Sequence, residues 1–303
     1  MAMAAAWRRA RSGLGRLRVL LLLLLAVAVS MIALTEWRYR ELERSNQALF
    51  AQRATERANA LASHLSDTIA ATLLQADAVH GLVRQLSEAR LAGDASAEAT
   101  LRPYIDRIGK DEDQDVVTVS AIGPTGALLW SSLDWSASGV DLADREHFRV
   151  LADHSQADAY FGRPVVARIK NEWLVPYARA VRDASGHLRM VTLVSLTPRM
   201  IERICRDMNL APDDIVALLR DDDVVLMRNS MTHLGEIATA PSEATQSGLI
   251  VPRPSVLDGV VRYLTSRRIP GRPLVVRVGL SQASLERAMA SSRETLQRST
   301  LLL

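Results

Sequence analysis

Cysteine is almost absent: Cys205 is the single one in 303 residues. One thiol excludes an internal disulfide and a cysteine-built zinc site. Such a residue is ordinarily a buried, inert core group, with an intermolecular bridge as the alternative. Aromatic residues make up only 4% of the chain. No phosphate-binding G-x-x-x-x-G-K-S/T loop, H-E-x-x-H helix, G-x-S-x-G elbow or protein-kinase signature occurs, so no catalytic residue, metal or cofactor is expected. A G-G-D-E-F-like segment is also missing, which excludes synthesis of a cyclic dinucleotide by these residues. The formal net charge is +3 with both signs spread along the chain. Nucleic acid, which wants a concentrated basic face, is therefore not an expected partner. The acidic run Asp221-Asp222-Asp223 reads as a solvated hairpin turn rather than a metal site.

What is present begins with a hydrophobic run. Val19 to Leu34 is uncharged, and Leu17 and Thr35 extend it. About 17–25 apolar residues cross a bilayer, so residues 17–36 are expected to form a membrane-spanning helix. Arg8, Arg9, Arg11, Arg16 and Arg18 precede or open it, and Trp37 and Tyr39 follow. By the positive-inside rule residues 1–16 stay in the cytoplasm, and the aromatic pair marks the outer interface. A membrane protein with its N-terminus in the cytoplasm and its bulk outside is the resulting expectation. A cleaved signal peptide is the competing reading, with Ala26-Val27-Ala28 as its poor cleavage site. At the other end, helical sequence from Gln282 to Gln297 runs into Leu301, Leu302 and Leu303, which look like the start of a second span.

Between these ends the periodicity changes twice. Leu61, Leu65, Ile69, Leu73, Ala76, Val79, Val83 and Leu86 recur at steps of three and four, which predicts a long stalk helix over 37–92. Gly93 breaks it, and a shorter helix is expected over Ala95–Ile108 with Pro103 as a kink. The pattern then turns to strands at Val116–Ile122, Ala127–Ser131, Val165–Ile169, Trp173–Val181 and Arg189–Leu196, with turns at Gly123–Gly126 and Asp183–Gly186. A weak repeat follows: Val116–Ser132 matches Asp214–Ser230, and Met190–Arg203 matches Leu274–Arg287. Two copies of one sheet module therefore stand in tandem.

The segments VDLADREHFRVL (Val140–Leu151) and Tyr160–Leu196, with their D-L-x-D-R-x-x-F run, G-x-P-V strand and tryptophan, resemble the membrane-distal module of double-Cache (tandem PDC, PAS-like) sensors. These stand in front of bacterial diguanylate cyclases and sensor histidine kinases. The resemblance covers roughly Glu36 to Gln297 and is stronger for the distal module than for the proximal one. It implies an α+β fold: a transmembrane helix continuing into the stalk, then two PAS-like modules, each an antiparallel sheet flanked by helices. The modules would occupy 93–200 (distal) and 201–281 (proximal), with 282–303 leading to the second span.

The resemblance also implies a ligand pocket in the distal module. Asp144, Arg145, His147 and Phe148 would edge it, and Arg168, Trp173, Tyr177 and Arg179 would come from its strands. Alternation along a strand puts Trp173, Val175, Tyr177 and Arg179 on one side, where aromatics and a guanidinium can clamp an anion or a ring. Plainer roles compete: Asp144 as a helix cap, Phe148 as core, His147 as an ordinary hydrogen-bonded residue. Amino-acid-binding members carry Arg-x-Trp-Tyr and a later acid. Here Asn171-Glu172-Trp173-Leu174 and Ser195 stand in those places, which argues against a free α-amino acid. The expected partners are an unidentified small molecule, the lipid bilayer and a second copy of the chain. The implied function is extracytoplasmic small-molecule sensing for a cyclase or kinase output. A chemoreceptor ligand-binding region and a membrane-anchored periplasmic enzyme are the alternatives.

Overall fold

The computed structural model describes residues 2–108, 115–153, 157–168, 171–206, 208–239 and 250–287, with side chains from residue 24 onward except at 43, 46 and 47. The chain divides into two units, residues 1–53 and 54–303. Helix α1 is drawn over Ala2–Ala92. In the first unit its described apolar side chains, from Leu24 to Leu49, stand exposed. Among the described residues no helix is long and apolar enough to cross a membrane. The side chains of 17–23, which open the expected span, lie outside the described residues, as does everything expected after residue 287.

In the second unit α1 behaves as its periodicity predicts. Leu65, Ile69, Leu73, Ala76, Val83 and Leu86 are fully buried in one stripe, the apolar face an amphipathic helix presents to a core. The helix stops at a glycine in the left-handed region: Gly93 has φ +72°, a conformation without penalty only for glycine. Asp94 then caps α2 (Ala95–Ile105), its carboxylate accepting from the amides of Ser96 and Ala97. Helix α2 ends two residues after Pro103, short of the expected Ile108.

The distal sheet comprises β1 (Val116–Ile122), β2 (Leu128–Ser131), β3 (Ala159–Phe161), β4 (Val165–Val166), β5 (Trp173–Arg182) and β6 (Leu188–Leu196). Its order is β2-β1-β6-β5-β3, with β4 also pairing to β5. Helix α3 (Glu146–Asp153) lies between β2 and β3 in sequence. Strand β3 was not expected, and β4 is shorter than the predicted Val165–Ile169. Helix α4 (Met200–Cys205) leads to the proximal sheet of β7 (Ile215–Arg220), β8 (Val225–Arg228), β9 (Arg253–Pro254), β10 (Val261–Arg268) and β11 (Leu274–Ser281), in the order β8-β7-β11-β10-β9. The two orders are the same, so the repeat seen in the sequence is a repeat of topology.

The match extends to the turns. Gly126 (φ +91°) and Asp223 (φ +64°) occupy the same left-handed position of the β1–β2 and β7–β8 hairpins. In both modules the following loop returns to the hairpin, through Leu142 N to Gly126 O at 2.9 Å and Ala238 N to Asp223 O at 2.9 Å. Asp222 and Asp223 are taken by Arg220 and Arg277 respectively, so the acidic run is a turn held by arginines. Cys205 is buried, and burial pushes its thiol up to about 12.

Alpha1 covers one face of each sheet. Its buried stripe joins one core with Val119, Ala121, Trp130, Val175, Tyr177, Val194 and Leu196 of the distal module, and with Val216, Leu218, Val276 and Val278 of the proximal one. The distal sheet's other face packs Ile122, Leu128, Ala178, Val191 and Leu193 against Phe148 and Leu151 of α3. Phe148 is thus core, as its plainer reading had it.

Candidate functional site

A cavity of about 70 Å³ opens on that second face of the distal sheet. At roughly 10–15 Å³ per water-sized position, it has room for a ligand of a few non-hydrogen atoms. The floor is set by strand alternation. Thr118 and Ser120 come from β1, Leu174 and Pro176 from β5, and Leu193 and Ser195 from β6. Leu128 and Ser131 of β2 close one side. Arg145, His147 and Arg168 join the wall, with Val165, Val166 and other apolar residues completing it.

Arg145 and Arg168 bring two guanidiniums to one opening. Arg145 Nη2 donates to the Val166 carbonyl at 3.3 Å. Arg168 donates to the Asp141 carbonyl, and its Nη2 to Asp144 Oδ2 at 2.6 Å. Burial, reinforced by the like charge of Arg168, pulls the Arg145 pKa below its ordinary value. The Arg168 hydrogen bond holds the Asp144 carboxyl below the usual range. Asp144, a candidate cap for α3, therefore spends its carboxylate on Arg168 instead. No Asp or Glu is among the cavity-lining residues, and Asp144 at the rim pairs with one of the two guanidiniums, that of Arg168.

His147 is 3% exposed, and its Nε2 is buried with no hydrogen-bond partner. Burial first, and then the nearby Arg145 charge, push its pKa down to about 4. At neutral pH it is an uncharged ring. Gly162 makes this position possible: a Cβ there would meet Pro176 Cγ at 2.8 Å and His147 Cβ at 3.0 Å.

The structure thus brings Arg145, His147 and Arg168 together, with Asp144 holding Arg168 from the rim. It does not bring Trp173, Tyr177 and Arg179 to them. Those three do share a face, but it is the face toward α1. Tyr177 is fully buried there, stacked on Phe161 at 4.2 Å and edge-on to His80 at 4.7 Å. Its hydroxyl donates to Asp77 Oδ1 at 2.6 Å and accepts from Arg272 Nη1 at 2.7 Å. Arg179 pairs with Asp77 at 3.4 Å, and Trp173 is 46% exposed. Burial and the bond to Asp77 raise the Tyr177 pKa to about 12. Although burial works against it, Arg272 holds Asp77 low. Residue 169 and the end of the predicted Val165–Ile169 strand lie outside the described residues.

Sequence reasoning missed the hydroxyls of Thr118, Ser120 and Ser131. Their signal was available: small polar residues at alternate positions of an otherwise apolar strand mark a face that a ligand or water must satisfy. Ser195 was noted only as the residue at an acid's place; it lines the cavity.

No family model matches the chain, and no curated protein matches it. Solved structures do. The extracellular domain of the histidine kinase rpHK1S-Z16 shares 21% identity over 78% of this chain and 97% of that one, with a TM-score of 0.62. The ligand-binding domain of the Pseudomonas fluorescens chemoreceptor CtaA, solved with L-isoleucine, shares 13% identity over 80% and 98%, with a TM-score of 0.57. The sensor domain of the Vibrio cholerae histidine kinase DctB shares 18% identity over 78% and 99%, with a TM-score of 0.50. Two sheets of one repeated order behind a shared helix, together with these likenesses, give the chain the double-Cache fold of extracytoplasmic sensor domains.

Proposed function

We propose that this chain is the extracytoplasmic input region of a bacterial transmembrane signalling protein, and that its distal cavity binds a small carboxylate. The observation that carries the reading is the composition of the cavity wall: Arg145 and Arg168, four hydroxyls, a neutral buried His147, and no carboxylate among the lining residues. A planar guanidinium matches a carboxylate in geometry and charge, and Arg145 and Arg168 together can hold one or two such groups. An ammonium group would find no carboxylate among the lining residues. The chemoreceptor CtaA domain was solved with amino acids; this cavity favours an acid without the amino group.

On this reading residues 17–36 anchor the chain in the inner membrane, and residues 37–303 lie mainly outside. Two copies pair along α1, and the output is a cytoplasmic kinase or cyclase. The histidine kinase domains among the similar structures favour the kinase. A chemoreceptor output is the second reading, supported by the likeness to the CtaA domain.

The test is a panel of short mono- and dicarboxylates and α-amino acids against the purified chain, by thermal shift and then calorimetry. A ligand at about 100 times its Kd adds roughly 2.7 kcal/mol of stability, an easily read shift. A carboxylate hit should weaken at least tenfold in Arg145→Ala and in Arg168→Ala. A hit that ignores both substitutions would refute the site.

A further inference from the structure

The proximal sheet repeats the distal one strand for strand, yet its equivalent of the cavity face is built differently. Arg228 stands opposite Ala217 where Ser131 stands opposite Ser120. Arg277 stands opposite Ala217 where Leu193 stands opposite Ser120. Arg262 holds the place of Leu174, two residues before Leu264, which pairs with Gly279 as Pro176 pairs with Ser195. Small or apolar cavity-lining residues are thus replaced by arginines.

Arg277 is matched within the module, by Asp223 at 2.8 Å and by the Ala238 carbonyl. Arg228 and Arg262 share a single carboxylate. Asp258 takes Arg228 Nη2 on Oδ2 and Arg262 Nη1 on Oδ1, both at 2.6 Å. Both arginines are 3% exposed. Arg262 also donates Nε to the Asp213 carbonyl at 2.6 Å. Among the described residues Arg228 has no such second acceptor: its Nε and Nη1 are buried without a hydrogen-bond partner. A guanidinium is permanently charged and carries five N–H donors, so three of them have no acceptor. Among the described residues Asp258 is the one carboxylate bonded to either guanidinium. Buried donors without an acceptor are costly, and an unsatisfied group of this kind points to a further partner such as an ion.

We infer that Arg228 holds a small monoanion, a halide or a short carboxylate, in the proximal module, at the position equivalent to Ser131 of the distal cavity. The anion accepts from the edge of Arg228 that Asp258 leaves open. The same face carries the apolar cluster of Ala217, Leu219, Val225 and Ala238, so the ligand is limited to a single compact anionic group. This site does not depend on the ligand assigned to the distal cavity.

The test is thermal unfolding of the full chain at constant ionic strength, with bulky gluconate replaced stepwise by chloride or by formate. Above Kd, Tm should rise with the logarithm of the anion concentration, by roughly 3–5 °C per tenfold. A response to chloride alone identifies a halide site and to formate alone a carboxylate site; either supports the inference. In an Arg168→Ala background, which removes the distal carboxylate response, the rise should persist, and adding Arg228→Met should abolish it. No rise with either anion, an equal rise with Arg228→Met added, or loss of the rise in Arg168→Ala would each overturn it. Should Arg228→Met not fold, crystals of the unaltered chain grown in bromide, or in formate where formate alone raises Tm, must show that anion in contact with Arg228 Nε or Nη1; its absence overturns the inference as well.

Discussion

Arg220, the last residue of β7 in the proximal module, donates to Glu146, the first residue of the helix that carries His147 into the distal cavity; Nη2 and Oε1 are 3.3 Å apart. The same guanidinium bonds the Tyr160 hydroxyl, the Phe161 carbonyl at 2.9 Å and Asp222 at 2.7 Å. The two modules are therefore joined at the residue next to the ligand wall. Arg220→Met should leave Glu146 and the Phe161 carbonyl short of a donor. The expected loss is about 2–3 kcal/mol of unfolding free energy, from several hydrogen bonds of a charged group. Chemical denaturation measures it. An unchanged midpoint would show that the junction contributes nothing.

Tyr177→Phe separates the two faces of β5. The variant keeps the stack on Phe161 but removes the hydroxyl shared by Asp77 and Arg272. Stability should fall by about 1–2 kcal/mol, while affinity for the distal ligand stays within twofold. Trp173→Ala should likewise leave affinity unchanged. A tenfold loss in either variant would place the ligand on the α1 side of the sheet.

Acid should weaken the fold through two histidines. Burial first, then neighbouring arginine charge, lowers His147 to about 4 and His80 to about 3. Both rings are neutral when folded, and both take up a proton near their ordinary value of 6.5 when unfolded. Between those limits the unfolded state binds more protons, so stability rises with pH. It should be complete above about 6.5 and be lost progressively as pH falls toward 4, by up to about 1.4 kcal/mol per pH unit for each histidine. Urea midpoints from pH 4 to 7 test this, and His147→Asn should remove its share of the slope.

Gly162→Ala should act on the cavity without touching a ligand. The added Cβ would press on Pro176 and on His147, both cavity-lining residues. Overpacking costs about 1–3 kcal/mol, and the displaced ring should weaken ligand binding several-fold. Equal affinity in the variant and the parent, by calorimetry, would show that His147 has no part in the site.

Much of the architecture could be read from residues alone, because local rules carry it. The three-and-four spacing from Leu65 to Leu86 specifies a helix with one buried stripe wherever it packs. The Gly126 and Asp223 turns, with their flanking strands, announce two copies of one module. The cavity was half legible. Arg145, His147 and Arg168 come from a motif with a recognisable order, whereas the hydroxyls opposite them come from strands that read as plain core.

Strand alternation alone puts Trp173, Tyr177 and Arg179 of β5 on a common face. Which way that face points was decided only by the tertiary structure. A strand exposed on one side reveals its phase by alternating polar and apolar residues, but the middle of β5 is buried on both sides, from Leu174 to Ala178. Its two faces look alike until α1 covers one of them and leaves the other to the cavity. The same holds for Arg220 and Arg228. In the sequence each is one arginine beside a turn, and the chain folding back determines that one meets Glu146 while the other is buried beside a carboxylate it must share.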